Sequence, residues 1–203
     1  MEYGNHGGHG ENRDAGELLK LSGEKYGDKP CIKYRDGDTV YTRSYREMYE
    51  NSLSVSGYIK YLCSKRTHIA IIGKTDYEYI SCLNGIFMSG NVAVPLGNDM
   101  STEKLCTVLS LADVEFLFYD NTIAPRLDEI LSGCPEMKQT VNMSEKKLFS
   151  DIYGDFTENS KYSELLHTEV DPDECAALIF TSGTTGLFKG VMLSSRGIIS
   201  NVY

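Results

Sequence analysis

The sequence predicts an α/β fold in which a parallel sheet built from βαβ units is covered by helices and preceded by a β-hairpin. From residue 67 to residue 143, short β-rich runs alternate with helical stretches, and the links between them are short. Earlier in the chain, Asp36-Gly37 separates two β-rich runs, and glycine tolerates the positive φ that a tight hairpin turn needs. These two patterns together predict a hairpin followed by a helix-covered parallel sheet.

Composition narrows the class of protein. The chain has 203 residues, which suits one domain or a domain with a small satellite. Its formal net charge of -9 argues against a nucleic-acid-binding surface, which requires basic patches. No apolar run reaches transmembrane length, and the first residues lack the apolar core of a signal peptide. We therefore expect a cytoplasmic protein with no transmembrane segment and no nucleic-acid partner.

The six cysteines are spread too widely for a metal site. No two of them lie closer than 19 residues, so the chain has neither a C-x-x-C pair nor zinc-type spacing. We expect reduced, mostly buried thiols. His68 and His167 stand beside no recognisable nucleophile, which favours structural or solvent-exposed roles for both.

The first elements follow from local patterns. Residues 1–14 are too polar to pack and are expected to be a flexible lead-in. Residues 31–35 and 39–42 are the predicted hairpin strands. Ser44 then begins a helix, because Glu47 stands three residues on, where a capping box needs an acid. A buried stripe follows at helical spacing: Met48, Ser52, Val55, Ile59 and Leu62.

The alternating region predicts the sheet, as part of an α/β subdomain at residues 15–143. The expected strands are 67–72, 92–94, 114–119 and 138–143, and the expected helices are 77–89, 102–112 and about 122–131, the last one ending at Gly133. Ile80, Leu83 and Phe87 define one face of the first of these helices. Pro95 is expected to end the second strand, because proline cannot donate to a sheet ladder.

The next segment differs in character. Residues 144–174 hold nine acids and three lysines with little periodicity, so we expect a mostly exposed acidic connector with one short helix. Residues 175–180 then form a strongly apolar strand. This strand is predicted to open a second subdomain at residues 175–203, with a further strand at 191–193 and a helix opened by Ser194 or Ser195.

The loop after this strand is the candidate functional site. It reads Thr181-Ser182-Gly183-Thr184-Thr185-Gly186-Leu187-Phe188-Lys189-Gly190. Its glycines allow close approach to a ligand, while hydroxyl groups, backbone N–H groups and one lysine are the donors that hold polyphosphate. A plain surface turn rich in Gly and Thr is the alternative. The loop is neither a Walker A motif nor a dinucleotide-binding fingerprint, and its position after a buried strand favours phosphate binding.

This loop, continuing through Val191-Met192-Leu193-Ser194, resembles the signature loop of the adenylate-forming superfamily, which includes acyl-CoA synthetases, peptide-synthetase adenylation domains and luciferases. Residues 85–96 resemble that family's helix–Gly–strand–Pro-Leu element, and residues 113–118 fit the strand after it. The likeness covers residues 15–203 in order.

The resemblance implies a partial N-terminal domain of the adenylate-forming ligase fold. It implies an enzyme that uses ATP and Mg²⁺ to activate a carboxylic acid, most simply a fatty acid, as an acyl-adenylate and then transfers the acyl group to coenzyme A. By the same resemblance, the ATP phosphates would be bound by Thr181, Ser182, Gly183, Thr184, Thr185, Gly186 and Lys189. Thr184 would contact Mg²⁺ through ATP, and no catalytic residue is implied within this chain.

The chain departs from the family pattern in several places. Phe188 stands where proline is usual, Ser195 where His or Asn is usual, and Gly97 where an acid is common. Family members run to well over twice this length, and the chain stops at Tyr203 within a predicted helix. We therefore expect a fragment with little turnover alone. An amino-acid adenylation domain and a non-catalytic binding domain of the same fold remain alternatives, and the oligomeric state stays open.

Overall fold

The α/β fold, with its mostly parallel sheet and N-terminal hairpin, is confirmed. The structure is a computed structural model that describes residues 14–166, 168–182 and 188–200. The helices are α1 (Ala15–Tyr26), α2 (Tyr45–Leu62), α3 (Tyr77–Met88), α4 (Thr102–Leu111), α5 (Leu127–Gly133), α6 (Lys146–Asp155) and α7 (Ser195–Ile199). The strands are β1 (Pro30–Asp36), β2 (Thr39–Ser44), β3 (His68–Ile72), β4 (Val92–Leu96), β5 (Val114–Tyr119), β6 (Gln139–Asn142), β7 (Cys175–Ser182) and β8 (Phe188–Ser194).

The predicted hairpin is a separate two-stranded sheet. Strands β1 and β2 pair antiparallel, and Gly37 adopts the expected positive φ of 58°. An isolated hairpin is only marginally stable in water. Here the ring of Tyr34 stacks on Tyr41 of the partner strand and on Tyr77 of α3, with centroids 5.4 and 6.3 Å apart. These contacts fasten the hairpin to the helix that follows β3.

Helix α2 begins as predicted. The Ser44 hydroxyl accepts a hydrogen bond from the Glu47 N–H, and the Glu47 carboxylate accepts one from the Ser44 N–H, which completes the capping box. Of the predicted stripe, Leu62 is half-buried and the other four residues are buried. Helix α1 was not predicted; it begins after Asp14, whose carboxylate accepts a hydrogen bond from the Glu17 N–H.

The main sheet has the order β6-β5-β3-β4-β7-β8. Its first five strands run parallel, and β8 pairs antiparallel to β7 at the edge. Alternate residues of β3 face opposite sides. Ile69 and Ile71 join a core that includes residues of α2, α3 and α6, whereas Ala70 and Ile72 join a second core with α4 and α5. The sheet is therefore covered on both faces.

The prediction that Pro95 ends its strand was wrong. Strand β4 continues through Pro95 to Leu96, and Pro95 pairs in register with Ile71. Proline fits an extended backbone where its missing N–H is not needed. Between β4 and β7 the register pairs only Ala93 with Ala177. Pro95 therefore lies beyond the part of β4 that pairs with β7, where its missing N–H is not needed.

Helix α3 forms as predicted, and the face that Ile80, Leu83 and Phe87 share is half-buried. Leu83 and Phe87 pack against the core from this face. The buried residues of the helix are Tyr77, Ser81, Cys82, Gly85, Ile86 and Met88. Small residues face inward because α3 packs closely against α2, where a Cβ at Gly85 would lie 2.6 Å from Cγ1 of Val55.

The acidic connector is mostly exposed, as expected, and contains α6 together with a 3₁₀ turn at Ser163–Leu165. Four of its apolar residues are nevertheless no more than 5% exposed: Phe149, Ile152, Phe156 and Leu166. Gly57 on α2 makes room for two of them, because a Cβ there would lie 2.8 Å from Leu166 and 3.0 Å from Phe156. These apolar side chains fasten the connector to α2.

The remaining expectations concern the helix near residue 122, the cysteines, the histidines and the lead-in. The helix expected near residue 122 is a 3₁₀ turn at Ala124–Arg126 followed by α5. All six cysteines are free, but four are only half-buried, so the expectation of mostly buried thiols was wrong. His68 has a structural role, because its Nδ1 contacts the carbonyl oxygen of Ala112. His167 lies outside the described residues, as does the lead-in apart from Asp14.

Residues 175–194 belong to the same sheet as the earlier strands. Strand β7 joins the sheet beside β4, and β8 extends it by one strand. The subdomain boundaries at 144 and 175 stay a prediction. Within the described ranges, no helix is long and apolar enough to cross a membrane.

Candidate functional site

The predicted phosphate-binding loop lies at the carboxyl end of β7. The two strands extend into the predicted loop: β7 ends at Ser182 and β8 begins at Phe188. Gly183, Thr184, Thr185 and Gly186 lie outside the described residues. The register pairs Thr181 with Lys189 and Ser182 with Phe188. The described part of the site is therefore the pair of strands that carries the loop.

Thr181 and Lys189 are the side chains that this stem presents. Residues directly opposite each other on antiparallel strands have side chains on the same face of the sheet. Both residues are exposed, and Lys189 makes no ion pair with any residue of the described ranges. A hydroxyl group and an ammonium group thus lie on the same face of the sheet, and both can donate hydrogen bonds to an anion.

Several other chain segments meet at this edge of the sheet. Strands β3, β4, β5 and β6 run parallel to β7, so their carboxyl ends lie at the same edge, and β8 starts there. Ligands of open α/β sheets bind at this edge, where the connecting loops are free to vary. The loops after these strands therefore surround a ligand bound by the loop after β7.

A buried carboxylate organises two of these loops. Asp120 follows β5 directly, and its side chain accepts hydrogen bonds from the N–H of Lys74 at 2.8 Å and from the N–H of Thr122 at 2.9 Å. Burial alone would raise the pKa of Asp120, but these hydrogen bonds and one from the Thr122 hydroxyl hold it below its ordinary value. A Cβ at Gly73 would lie 2.9 Å from the carboxyl carbon of Asp120. The carboxylate therefore ties the end of β3 to the end of β5.

Sequence reasoning missed this carboxylate. The available signal was positional, since Gly73 follows β3 directly and Asp120 follows β5 directly. Polar and small residues at the carboxyl ends of parallel strands are candidates for loop organisation. Only the strand order shows that these two residues are neighbours.

An arginine organises the loop after β4. The Arg126 guanidinium donates to the carbonyl oxygens of Asn98 at 2.7 Å and of Met100 at 2.5 Å. A Cβ at Gly97 would lie 2.5 Å from Oδ1 of Asp99, but this carboxylate ends an exposed side chain that can turn away. Nothing in the structure explains the departure at Gly97.

Strand β8, which follows the loop, is held in place by the packing of Phe188. The half-buried ring of Phe188 packs against the core that lies on the α4 and α5 side of the sheet. Leu178 and Phe180 of β7 pack against the same core. A side chain at the first position of β8 therefore anchors that strand close to the predicted phosphate-binding residues.

The described donors fit a polyphosphate. Thr181 and Lys189 are both exposed, and their hydroxyl and ammonium groups suit phosphate oxygens. Within the described ranges, no group of three His, Cys, Asp or Glu residues is placed to hold a metal ion. The predicted Mg²⁺ contact through ATP falls on Thr184, outside those ranges.

Comparisons with known proteins agree with the geometry. The model of the AMP-binding enzyme family matches residues 19–203. The long-chain-fatty-acid–CoA ligase ACSBG2 of Xenopus laevis is 27% identical over 195 residues, covering 90% of this chain and 26% of the relative. Surfactin synthase subunit 1 of Bacillus subtilis is 24% identical over 184 residues, covering 90% of this chain and 4% of the relative.

A solved structure shows the same fold. The crystal structure of the N-terminal domain of FACL13 from Mycobacterium tuberculosis superposes with a TM-score of 0.75 at 18% identity, covering 90% of this chain and 44% of that one. The chain spans only 26% and 32% of the length of the first two curated relatives that it matches.

Proposed function

Because this chain belongs to the AMP-binding enzyme family, we propose that it is the N-terminal, ATP-phosphate-binding part of an acyl-CoA synthetase. In the proposed reaction, a carboxylate attacks the α-phosphorus of ATP to give an acyl-adenylate and pyrophosphate. The thiol of coenzyme A then takes the acyl group and AMP leaves. The relative named as a long-chain-fatty-acid–CoA ligase supports a fatty acid as the carboxylate.

One observation carries the proposal. Lys189, which has no ion pair within the described part of the chain, lies opposite the exposed Thr181 at the carboxyl edge of the sheet, where β7 and β8 carry the loop. In this proposal Lys189 neutralises charge on the β- and γ-phosphates. Positioned donors of this kind provide most of the catalysis in phosphoryl chemistry.

The remaining site residues belong to the same proposal. Ser182, Gly183, Thr184, Thr185 and Gly186 would supply hydroxyl and backbone N–H donors to the phosphates, and Thr184 would contact Mg²⁺ through ATP. The proposal assigns no residue of these 203 to the acyl-transfer step, and it therefore expects little turnover from them alone. The cytoplasmic location also stays a prediction.

The reaction is tested by ATP–pyrophosphate exchange. We would measure carboxylate-dependent exchange on the 203-residue chain and on a longer protein that contains it, over a panel of fatty, aryl and amino acids. Exchange that depends on a fatty acid in the longer protein supports the proposal. A folded longer protein that shows no exchange with any acid would contradict it.

The site is tested separately by binding. We predict that Lys189→Ala, in the same longer protein, weakens MgATP binding by about 10- to 100-fold, because a hydrogen bond to a charged group is worth roughly 1.5–3 kcal/mol. The control is Lys20→Ala, which removes the same charge from an exposed position on α1. Isothermal titration calorimetry should show normal affinity for the control. Equal affinities in both variants would remove Lys189 from the site.

Two alternatives have an observation behind them. The similarity to surfactin synthase subunit 1 favours an amino-acid adenylation domain, which would give exchange with an amino acid instead of a fatty acid. Phe188, in place of the proline of the related motif, favours a non-catalytic binding domain, which would bind ligands without exchange. The acid panel separates the three functions.

A further inference from the structure

The opposite edge of the sheet contains a cavity that the proposed ligase reaction does not use. Its volume is about 310 Å³, at the lower end of the range for small-molecule pockets. It is lined by residues that precede three parallel strands: 64–66 before β3, 89–91 before β4, and 168–171 with Glu174 before β7. The cavity therefore lies at the amino edge, away from the phosphate-binding loop.

Lys60 is the unusual side chain of this cavity. It lies in the last turn of α2 and is half-buried, yet it has no ion pair with any residue of the described ranges. The other two cations of the cavity are paired, because Lys65 contacts Glu115 at 3.1 Å and Arg66 contacts Glu174 at 3.1 Å. Among the described residues, Lys60 is thus the cation of the cavity that has no counter-ion.

This environment favours the neutral amine. Removing an ammonium group from water without a counter-ion disfavours its charged form. Burial lowers the pKa of Lys60 to about 8. Six ionisable residues line the cavity around it: Cys63, Lys65, Arg66, Glu169, Asp171 and Glu174. None of their carboxylates offsets the effect of burial.

The nearby thiol is a poorer nucleophile. Cys63 lies three residues after Lys60 and lines the same cavity. Burial raises the pKa of the Cys63 thiol, and Glu115 raises it further, so its reactive thiolate is disfavoured near neutral pH. The amine is therefore the group of this cavity that is set up to attack an electrophile.

We propose that Lys60 is an N-acylation site, which accepts the acyl group of a small activated donor, a thioester or an acyl phosphate, that enters this cavity. The neutral Nζ attacks the carbonyl carbon and forms an amide bond. The C–S or C–O bond to the leaving group breaks, and the leaving thiol or phosphate takes the proton that the amine loses. The reaction needs neither ATP nor the phosphate-binding loop, so it stands or falls independently of the proposed ligase function.

The test compares acylation rates within one protein. The 203-residue chain would be treated with acetyl phosphate, and in a second arm with a simple acetyl thioester, and then with a reducing thiol to remove any thioester on cysteine. Peptide mass spectrometry would give the acetylation rate of each lysine. We expect Lys60 to react at least about fivefold faster at pH 7.5 than Lys65, which is exposed and ion-paired in the same cavity.

The pH profile and a pair of variants make the test specific. The Lys60 rate should level off above about pH 8, whereas an ordinary lysine, with a pKa of about 10.4, keeps accelerating beyond pH 9. Ser64 lines the cavity and is exposed, so Ser64→Asp should provide a carboxylate that slows Lys60 about threefold or more, while Ser64→Asn should not. The arm that reacts faster identifies the donor class.

Two results would contradict acylation of Lys60. If Lys60 reacts no faster than Lys65 with either donor, or if its rate still climbs tenfold per pH unit above pH 8.5, the proposal is wrong. Lys60→Arg would verify the peptide assignment, because it should remove one acetylated peptide and leave the others unchanged.

Discussion

At the scale of single residues, Phe188 links the predicted site to the core. The related motif has proline at this position, and proline would fix φ there. In the structure, the ring packs against the core beneath β7 and β8, and residue 188 pairs with residue 182. A large apolar side chain thus supplies by packing some of the order that a fixed φ would supply.

We predict that Phe188→Ala lowers the free energy of unfolding by about 1–3 kcal/mol. This is less than the 3–5 kcal/mol of a fully buried phenylalanine, because the ring is only half-buried. The control is Met192→Ala on the same strand, where the side chain is 70% exposed and the change should stay within about 0.5 kcal/mol. Urea unfolding measures both. Equal stabilities would mean that the ring does not anchor β8.

Residues of the candidate site could be proposed from the sequence only where they belong to a local motif. Thr181 and Lys189 stood out because glycine, hydroxyl and lysine residues cluster within ten positions after an apolar strand. Asp120 did not stand out. Its role depends on Gly73 and Lys74, which lie more than forty positions earlier in the chain and become neighbours only through the pairing of β3 with β5.

At the scale of elements, the contact between α2 and α3 is set by a glycine. A Cβ at Gly85 would meet Cγ1 of Val55 at 2.6 Å and the carbonyl oxygen of Ser52 at 3.1 Å. The backbone of α2 cannot yield as a flexible side chain would. The two helices must therefore move apart if anything larger than glycine occupies this position.

We predict opposite effects for two Gly→Ala changes. Gly85→Ala should destabilise the protein by about 1–3 kcal/mol through overpacking. Gly154→Ala in α6, where a Cβ meets no atom within 4 Å, should stabilise it by about 0.5–1 kcal/mol through helix propensity. Urea unfolding of both variants, with circular dichroism, checks this. A Gly85→Ala variant as stable as the parent would contradict the close contact of α2 and α3.

At the scale of the whole molecule, Glu115 joins parts of the chain that are distant in sequence. Its carboxylate contacts Lys65 at 3.1 Å and Lys138 at 2.9 Å, and it accepts a hydrogen bond from the Thr67 hydroxyl at 3.3 Å. These groups lie just before β3 and β6, while Glu115 itself is in β5. Hydrogen bonds from Lys138 and Lys65 lower the pKa of Glu115 to about 2.

This lowered pKa predicts a pH dependence of stability. A carboxylate whose folded-state pKa lies below its unfolded value of about 4.3 stabilises the fold above that value, and the contribution is lost as the pH falls from about 4.3 to 2. We therefore predict that Glu115→Gln flattens the decline of the unfolding free energy between pH 5 and 2. Glu24→Gln, at an exposed position on α1, is the matched control and should keep the slope of the parent. Parallel curves for both variants would contradict the prediction.

The two edges of the sheet differ in chemistry, and the sequence alone could not assign residues to them. The carboxyl edge gathers Thr181, Lys189 and the loops that Asp120 and Arg126 organise. The amino edge gathers Lys60 and the segment before β7 into one cavity. These assignments follow from strand order and direction, which place each connecting segment at one edge or the other.

The sequence by itself determined the fold class, most strand and helix positions and the capping box at Ser44; the residues of the candidate phosphate-binding loop stay a prediction. These features depend on interactions between residues close in the chain, such as period-two and helical spacing, caps and turn residues. Tertiary structure alone decided the strand order, the continuation of β4 through Pro95, the packing of four apolar connector residues on α2, the Asp120 link and the absence of an ion pair at Lys60 within the described ranges. Each of these depends on contacts between distant segments, which a local pattern does not record.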